Sequence, residues 1–120
     1  MELTKFLAQI VERNASDGFA TVGSVLTFKV DGELVGYGAL PLGSDDVTAL
    51  IKASMSGDQF AQYLKDHDAN YAIEHPDLGR FRASAYVQRE QPGLVVRRIH
   101  LRNFIFADQI ANSRRAPENL

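Results

Sequence analysis

Gly79-Arg80-Phe81-Arg82-Ala83-Ser84-Ala85-Tyr86-Val87-Gln88-Arg89 alternates between apolar and polar side chains over nearly its whole length. That period of two predicts a strand, with Phe81, Ala83, Ala85 and Val87 on a core-facing side and Arg80, Arg82, Ser84, Tyr86 and Gln88 on the other. A second extended segment, Val95-Val96-Arg97-Arg98-Ile99, follows at once, and Gln91-Pro92-Gly93 reads as the turn between them. Arg97 and Arg98 are neighbours on a strand and must point to opposite faces, so one of them needs a partner on or under the sheet. An acidic residue from earlier in the chain is the simplest candidate. Arginine is costly to order on a strand unless its planar fork meets carboxylates, phosphates or a partner surface. Docking is the expected reason for this density.

Outward from these strands, the chain reads as α+β. Leu3, Phe6, Leu7, Ile10 and Val11 recur at helical spacing, and Asn14-Ala15-Ser16-Asp17-Gly18 ends that helix. Phe19 to Val30 is extended, rich in Val22, Val25, Leu26, Phe28 and Val30. Asp31-Gly32 supplies the two residues tolerant of positive φ that a type I′ hairpin turn requires. Ser44 is the expected N-cap of a helix with Asp45 and Asp46 in its first turn and Val47, Leu50 and Ile51 on its apolar face. Ser56 and Gln59 have capping-box spacing ahead of Phe60, Tyr63 and Leu64. Tyr71 and Ile73 alternate in a short strand, and His75-Pro76-Asp77-Leu78-Gly79 is a turn. The expected architecture is an antiparallel sheet with helices mainly on one face. Phe104, Ile105, Phe106 and Ile110 are compatible with a further helix, while residues 103–120 read as a diverged, mobile tail or linker after a domain of residues 1–102.

At 120 residues and 13.3 kDa there is room for one domain and one core. No apolar run approaches the roughly 20 residues of a spanning helix, and the first residues lack the features of a secretory signal, so no membrane insertion and a cytoplasmic address are expected. The absence of cysteine excludes disulfides and thiolate chemistry. Net charge is −2, unevenly spread: residues 1–79 carry five Lys/Arg against twelve Asp/Glu, and residues 80–120 eight against three. The two parts can pair internally or present opposite faces to partners.

Catalysis by this chain alone is not expected. There is no Gly-x-x-x-x-Gly-Lys loop to wrap phosphates. His67, His75 and His100 lack metal-ligand spacing, so no metal or resident cofactor is expected. Asp45 and Asp46 diverge from a helix start and read as dipole-complementing residues, and neither Ser16-Asp17 nor Asp66-His67-Asp68 has nucleophile–base geometry. Three readings of Arg80, Arg82, Arg97 and Arg98 remain open: internal ion pairs with the acidic first part, a docking or phosphate-facing edge, and a nucleic-acid surface. The acidic balance and the lack of a stacking platform make the last the least supported.

On these residues the chain resembles the N-terminal domain of the PilT/PilU group of type IV pilus retraction ATPases, and its PilU branch in particular. The likeness runs through the opening Met1-Glu2-Leu3-Thr4-Lys5-Phe6-Leu7, Asn14-Ala15-Ser16-Asp17, Thr21-Val22-Gly23, Lys29-Val30-Asp31-Gly32-Glu33-Leu34, Pro41-Leu42 and Asn70-Tyr71-Ala72-Ile73. It then continues through the Gly79–Arg89 strand to Val96-Arg97-Arg98-Ile99, and so covers about residues 1 to 100. The resemblance implies a PAS-like domain that, in the full-length family, precedes a RecA-like ATPase domain binding ATP and magnesium. Those proteins form hexameric rings that power pilus retraction and twitching motility. It further implies packing against a neighbouring subunit's ATPase domain, with Arg80, Arg82, Arg97 and Arg98 as interdomain or nucleotide-facing candidates. Gly18 stands where the resemblance implies a large apolar residue, and Ser24-Val25-Leu26 where it implies a proline-containing turn. The family's Leu-rich linker is not evident after Asn103 and the ATPase motifs are absent, so two readings stay open, an excised fragment and a short relative that keeps the docking domain without the motor, the diverged tail favouring the second. The domain is expected to be a monomer or weak dimer when isolated, and to act as the non-catalytic docking and assembly domain of a retraction ATPase or, if free-standing, to regulate the motor by binding it. A PAS-like small-ligand sensor, with a pocket between helices and sheet, is the alternative.

Overall fold

Phe6, Leu7 and Ile10 fall on one stripe of helix α1 (Leu3–Glu12) and are almost completely buried, as the spacing of the opening segment requires. The structure, a computed structural model, describes residues 2–100. After α1 come strands β1 (Asp17–Thr21), β2 (Leu26–Val30) and β3 (Glu33–Tyr37), and helices α2 (Ser44–Ala53) and α3 (Gly57–Asp66). Strands β4 (Asp68–His75), β5 (Gly79–Gln88) and β6 (Gln91–Ile99) follow. The strands form one six-stranded antiparallel sheet in the order β3-β2-β1-β6-β5-β4. Its centre, β1 beside β6, joins the first described strand to the last, so the core closes only when both are present.

The alternation read in Gly79–Arg89 holds. Phe81, Ala83 and Ala85 are buried under the helices, whereas Arg80, Arg82 and Gln88 are exposed. All three helices feed one core: Phe6, Leu7 and Ile10 from α1, Val47, Leu50 and Ile51 from α2, and Tyr63 from α3. They meet Phe28, Phe81, Leu94 and Val96 of the sheet. A large aliphatic or aromatic side chain buried this completely contributes about 1.5–3 kcal/mol. Gly18 explains its own departure from the expected apolar residue. A Cβ there would lie 2.8 Å from Ile10 Cδ1 and 2.9 Å from the Phe6 ring, so side chains of α1 already occupy that volume.

The local signals are largely realised. Asp31 and Gly32 have φ of 52° and 81° and join β2 to β3 with Val30 opposite Glu33. The capping box forms: Gln59 N donates to Ser56 Oγ at 3.1 Å, and Ser56 N to Gln59 Oε1 at 2.8 Å.

Three expectations need correction. Gly43, not Ser44, is the N-cap of α2, because Asp46 Oδ2 accepts from Gly43 N at 2.8 Å and draws that residue into the cap. Phe19 to Val30 is two strands, split where Gly23 (φ 87°) turns and the backbone of Gly23 and Ser24 bonds to Leu42. The turn between the arginine-bearing strands is Arg89-Glu90, not Gln91-Pro92-Gly93. Gln88 lies opposite Gln91, and both turn residues take positive φ, 53° and 65°. Pro92 and Gly93 are inside β6, and Gly93 is held there because a Cβ would collide with the Tyr86 ring across the strands. The expectations for residues 101–120 lie outside the described residues.

Candidate functional site on the open sheet face

The face of the sheet opposite the helices is where strand alternation sends the polar half of β5 and its partners. Register places Arg82 directly opposite Arg97 on β6, Arg97 opposite Asp17 on β1, and Asn70 of β4 opposite Ser84. These side chains, with Val95, line a shallow depression of about 280 Å³. Like charges facing each other across a strand pair are unfavourable. Compensation comes from Asp17, which is 7% exposed and accepts from Arg97 Nε at 3.3 Å and from Ser16 Oγ at 2.6 Å. The bond to Arg97 uses Nε, and the Arg97 side chain remains 74% exposed. Arg82 has no ion pair among the described residues. Two guanidinium groups, an amide and a hydroxyl therefore share one depression with a single, already committed carboxylate. Such a surface favours carboxylate or phosphate.

The four predicted arginines divide. Arg80, Arg82 and Arg97 share the open face, and Arg80 pairs across the strands with Glu74 at 3.5 Å. Arg98 alternates to the helix side, opposite Phe81, where it is half-buried and its backbone N–H donates to Ser16 O at 2.9 Å. Of the two adjacent arginines, the outward Arg97 is thus the one with the acidic partner from the first part of the chain. Internal pairing and an accessible positive face coexist.

Sequence reasoning missed Arg13. This residue ends α1 and places its guanidinium 3.3 Å from the Tyr37 ring centroid and 5.4 Å from that of Phe28, while Nη2 donates to Gln9 Oε1 at 3.4 Å. It clamps the helix to β2 and β3 by cation–π contact, a role no local pattern announces because ring and cation are 24 positions apart. Two tyrosines on the helix side are also tied in: Tyr63 OH donates to Tyr86 O at 2.9 Å, and Tyr71 OH bonds Ser54 Oγ. Burial pushes both phenols above their ordinary range. A nearby phenol adds to the rise in each case, and the Ser54 bond partly offsets it for Tyr71. A depression of about 510 Å³ lies between α2, α3 and the β5–β6 turn and is lined by Thr48, Tyr63, Leu64, His67, Glu90 and Pro92, among others. Among the described residues no group of His, Asp and Glu could hold a metal ion, and no helix is long and apolar enough to cross a membrane.

This chain is 35% identical over 99 residues to the type IV pilus ATPase PilU of Pseudomonas aeruginosa, a match covering 82% of the chain and 26% of that protein. It is a relative of the N-terminal part of the PilT/PilU family. The type IV pilus retraction ATPase PilT of the same organism is 30% identical, again over 82% of the chain and 29% of its own length. The PilT/PilU-type region described here thus spans less than a third of the curated relatives it matches. In fold, the crystal structure of the pilus retraction motor PilT with bound ADP superposes with a TM-score of 0.77 at 20% identity, over 84% of this chain and 30% of that one. The ATPase DotB of Legionella pneumophila follows with a TM-score of 0.68 at 21% identity, over 82% and 28%. No family model matches the chain.

Proposed function

We propose that this PilT/PilU-type domain is a non-catalytic docking module, PAS-like in architecture, that binds the RecA-like ATPase domain of a pilus retraction motor at the cytoplasmic face of the pilus machinery. The observation that carries the reading is the Arg82–Arg97 pair: like charges directly opposed on a helix-free face, with one carboxylate, Asp17, on the far side of Arg97 from Arg82. A fold retains such a pair at a cost in stability, and an anionic partner surface is what offsets it. Arg80, on the same face, extends the positive edge, whereas Arg98 lies on the helix side and is not part of it. The module needs no cofactor of its own in this reading, since ATP and magnesium belong to the motor domain. Occupying a face that a motor subunit would otherwise use gives the domain a means of regulating retraction.

The test is capture of an intact PilT- or PilU-type ring by the immobilised chain, compared with an Arg82→Glu/Arg97→Glu variant. Retention by the wild type and at least tenfold weaker retention by the variant is the expected result. Equal retention of both removes the arginine face from the argument, and no retention by either removes the docking role.

One observation favours a second reading, a small-ligand sensor. The 510 Å³ groove beside α3 combines the apolar Leu64 and Pro92 with Thr48, His67 and Glu90, a mixture typical of ligand sites. The groove lies at the rim of a filled core, and Leu64 is 55% exposed, so docking is preferred. Native mass spectrometry of the protein purified under gentle conditions decides: a stoichiometric co-purifying small molecule establishes the sensor, and bare protein leaves docking.

A further inference from the structure

Among the described residues the sheet has two edges, β3 and β4, and they are protected very differently. Strand β4 carries Asp68, Asn70, Glu74 and His75. Strand β3 has Glu33 as its single charge, followed by Leu34, Val35, Gly36 and Tyr37, and Leu34 is 67% exposed. Uncharged, apolar edges are the ones that recruit further strands.

Register shows which backbone groups that edge offers. The Asp31-Gly32 turn closes on Val30–Glu33, and hydrogen-bonded and non-bonded pairs alternate along an antiparallel ladder. Val30–Glu33, Phe28–Val35 and Leu26–Tyr37 are therefore the bonded pairs, and the N–H and C=O groups of Leu34 and Gly36 point away from β2 to the open side.

We propose that β3 pairs with β3 of a second copy of this chain, antiparallel about a two-fold axis at Val35, to extend one continuous sheet across two chains. In that register Leu34 lies opposite Gly36 of the second copy and each pair exchanges its outward N–H and C=O groups. Val35 meets Val35, Glu33 meets Tyr37, and no like charges face each other. Leu34 then sits above a glycine flanked by Val25, whose Cγ2 lies 2.8 Å from where a Gly36 Cβ would be, so the exposed leucine gains an apolar neighbour. The same operation on β4, centred on Tyr71, sets Asp68 against Glu74 twice, which disfavours that edge.

Five-residue pairing buries little area, so the dimer forms at high protein concentration. Sedimentation equilibrium of the 120-residue chain from about 10 μM to about 1 mM is expected to show a reversible monomer–dimer equilibrium. Leu34→Pro removes the outward donor while leaving the β2 ladder intact and is expected to weaken dimerisation at least tenfold. Leu34→Lys is expected to do the same, and Ala72→Lys on β4 to change nothing. Amide hydrogen exchange supplies an independent readout that survives any folding defect of the proline variant: protection of Leu34 and Gly36 rises with concentration in the wild type. A monomer throughout the range, a dimer indifferent to both Leu34 variants, or one disrupted by Ala72→Lys overturns the proposal.

Discussion

Arg82 on β5 and Arg97 on β6 are direct cross-strand neighbours on a face without helices, yet only Arg97 has a carboxylate, Asp17, 80 positions earlier in the sequence. The two arginines should therefore respond oppositely to neutralisation. Arg82→Leu removes a like-charge contact and is expected to leave stability unchanged or raise it by about 0.2–1 kcal/mol. Arg97→Leu deprives the buried Asp17 of its cation and is expected to cost about 1 kcal/mol, a value kept small by the exposure of the guanidinium. Urea denaturation measures both. A loss for Arg82→Leu as large as that for Arg97→Leu would make Arg82 a structural residue and weaken the docking argument.

Gly93 and Gly18 are expected to resist even a methyl group. At Gly93 the Tyr86 ring lies across the strands over the position a Cβ would take, and at Gly18 Phe6 and Ile10 fill it. Gly93→Ala and Gly18→Ala should each cost about 1–3 kcal/mol through forced repacking. The contrast is Gly57→Ala, where a Cβ meets nothing within 4 Å; this substitution is expected to be neutral or mildly stabilising. Thermal unfolding of the three variants should separate them clearly, and equal melting temperatures would show that neither contact constrains the sheet.

The turn between β5 and β6 is built from Arg89 and Glu90, both at positive φ and neither a residue that favours it. Replacing the pair by Asn-Gly supplies the residues a two-residue hairpin prefers and is expected to stabilise the domain by about 1–2 kcal/mol. The midpoint of chemical denaturation reports this, and a loss of stability instead would mean that Arg89 or Glu90 makes a compensating contact elsewhere.

Tyr63 and Tyr71 link stability to alkaline pH. Both phenols titrate above the ordinary value of 10.0, chiefly because burial disfavours the charged form. A raised folded-state value means that the neutral form stabilises the fold. That contribution is fully present below the unfolded value and is lost as pH rises through the folded one. Stability should thus hold to about pH 10 and fall above it. Phenolate absorbance should show Tyr63 and Tyr71 ionising above the ordinary value. Ser54→Ala removes the hydrogen bond that partly offsets the shift of Tyr71, and so should delay that residue further. Titration of Tyr63 and Tyr71 at the ordinary value would contradict the burial argument.

Alternation in Gly79–Arg89, the helical stripe Phe6-Leu7-Ile10, the Asp31-Gly32 turn and the Ser56–Gln59 box were legible in the sequence because each rests on residues within one or two turns of each other. A period of two or 3.6 assigns faces without knowledge of what covers them. The Arg89-Glu90 turn was not legible, since Pro92 and Gly93 are the stronger local signals and only the Tyr86 ring across the strand pair explains why they lie inside β6. Likewise, the sequence presented four arginines on two strands. Which of them share a surface followed from register, and which acquired a carboxylate followed from β1 docking against β6. Local chemistry decides what each segment can be; the closure of the first strand on the last decides which charges are answered within the fold and which stay exposed.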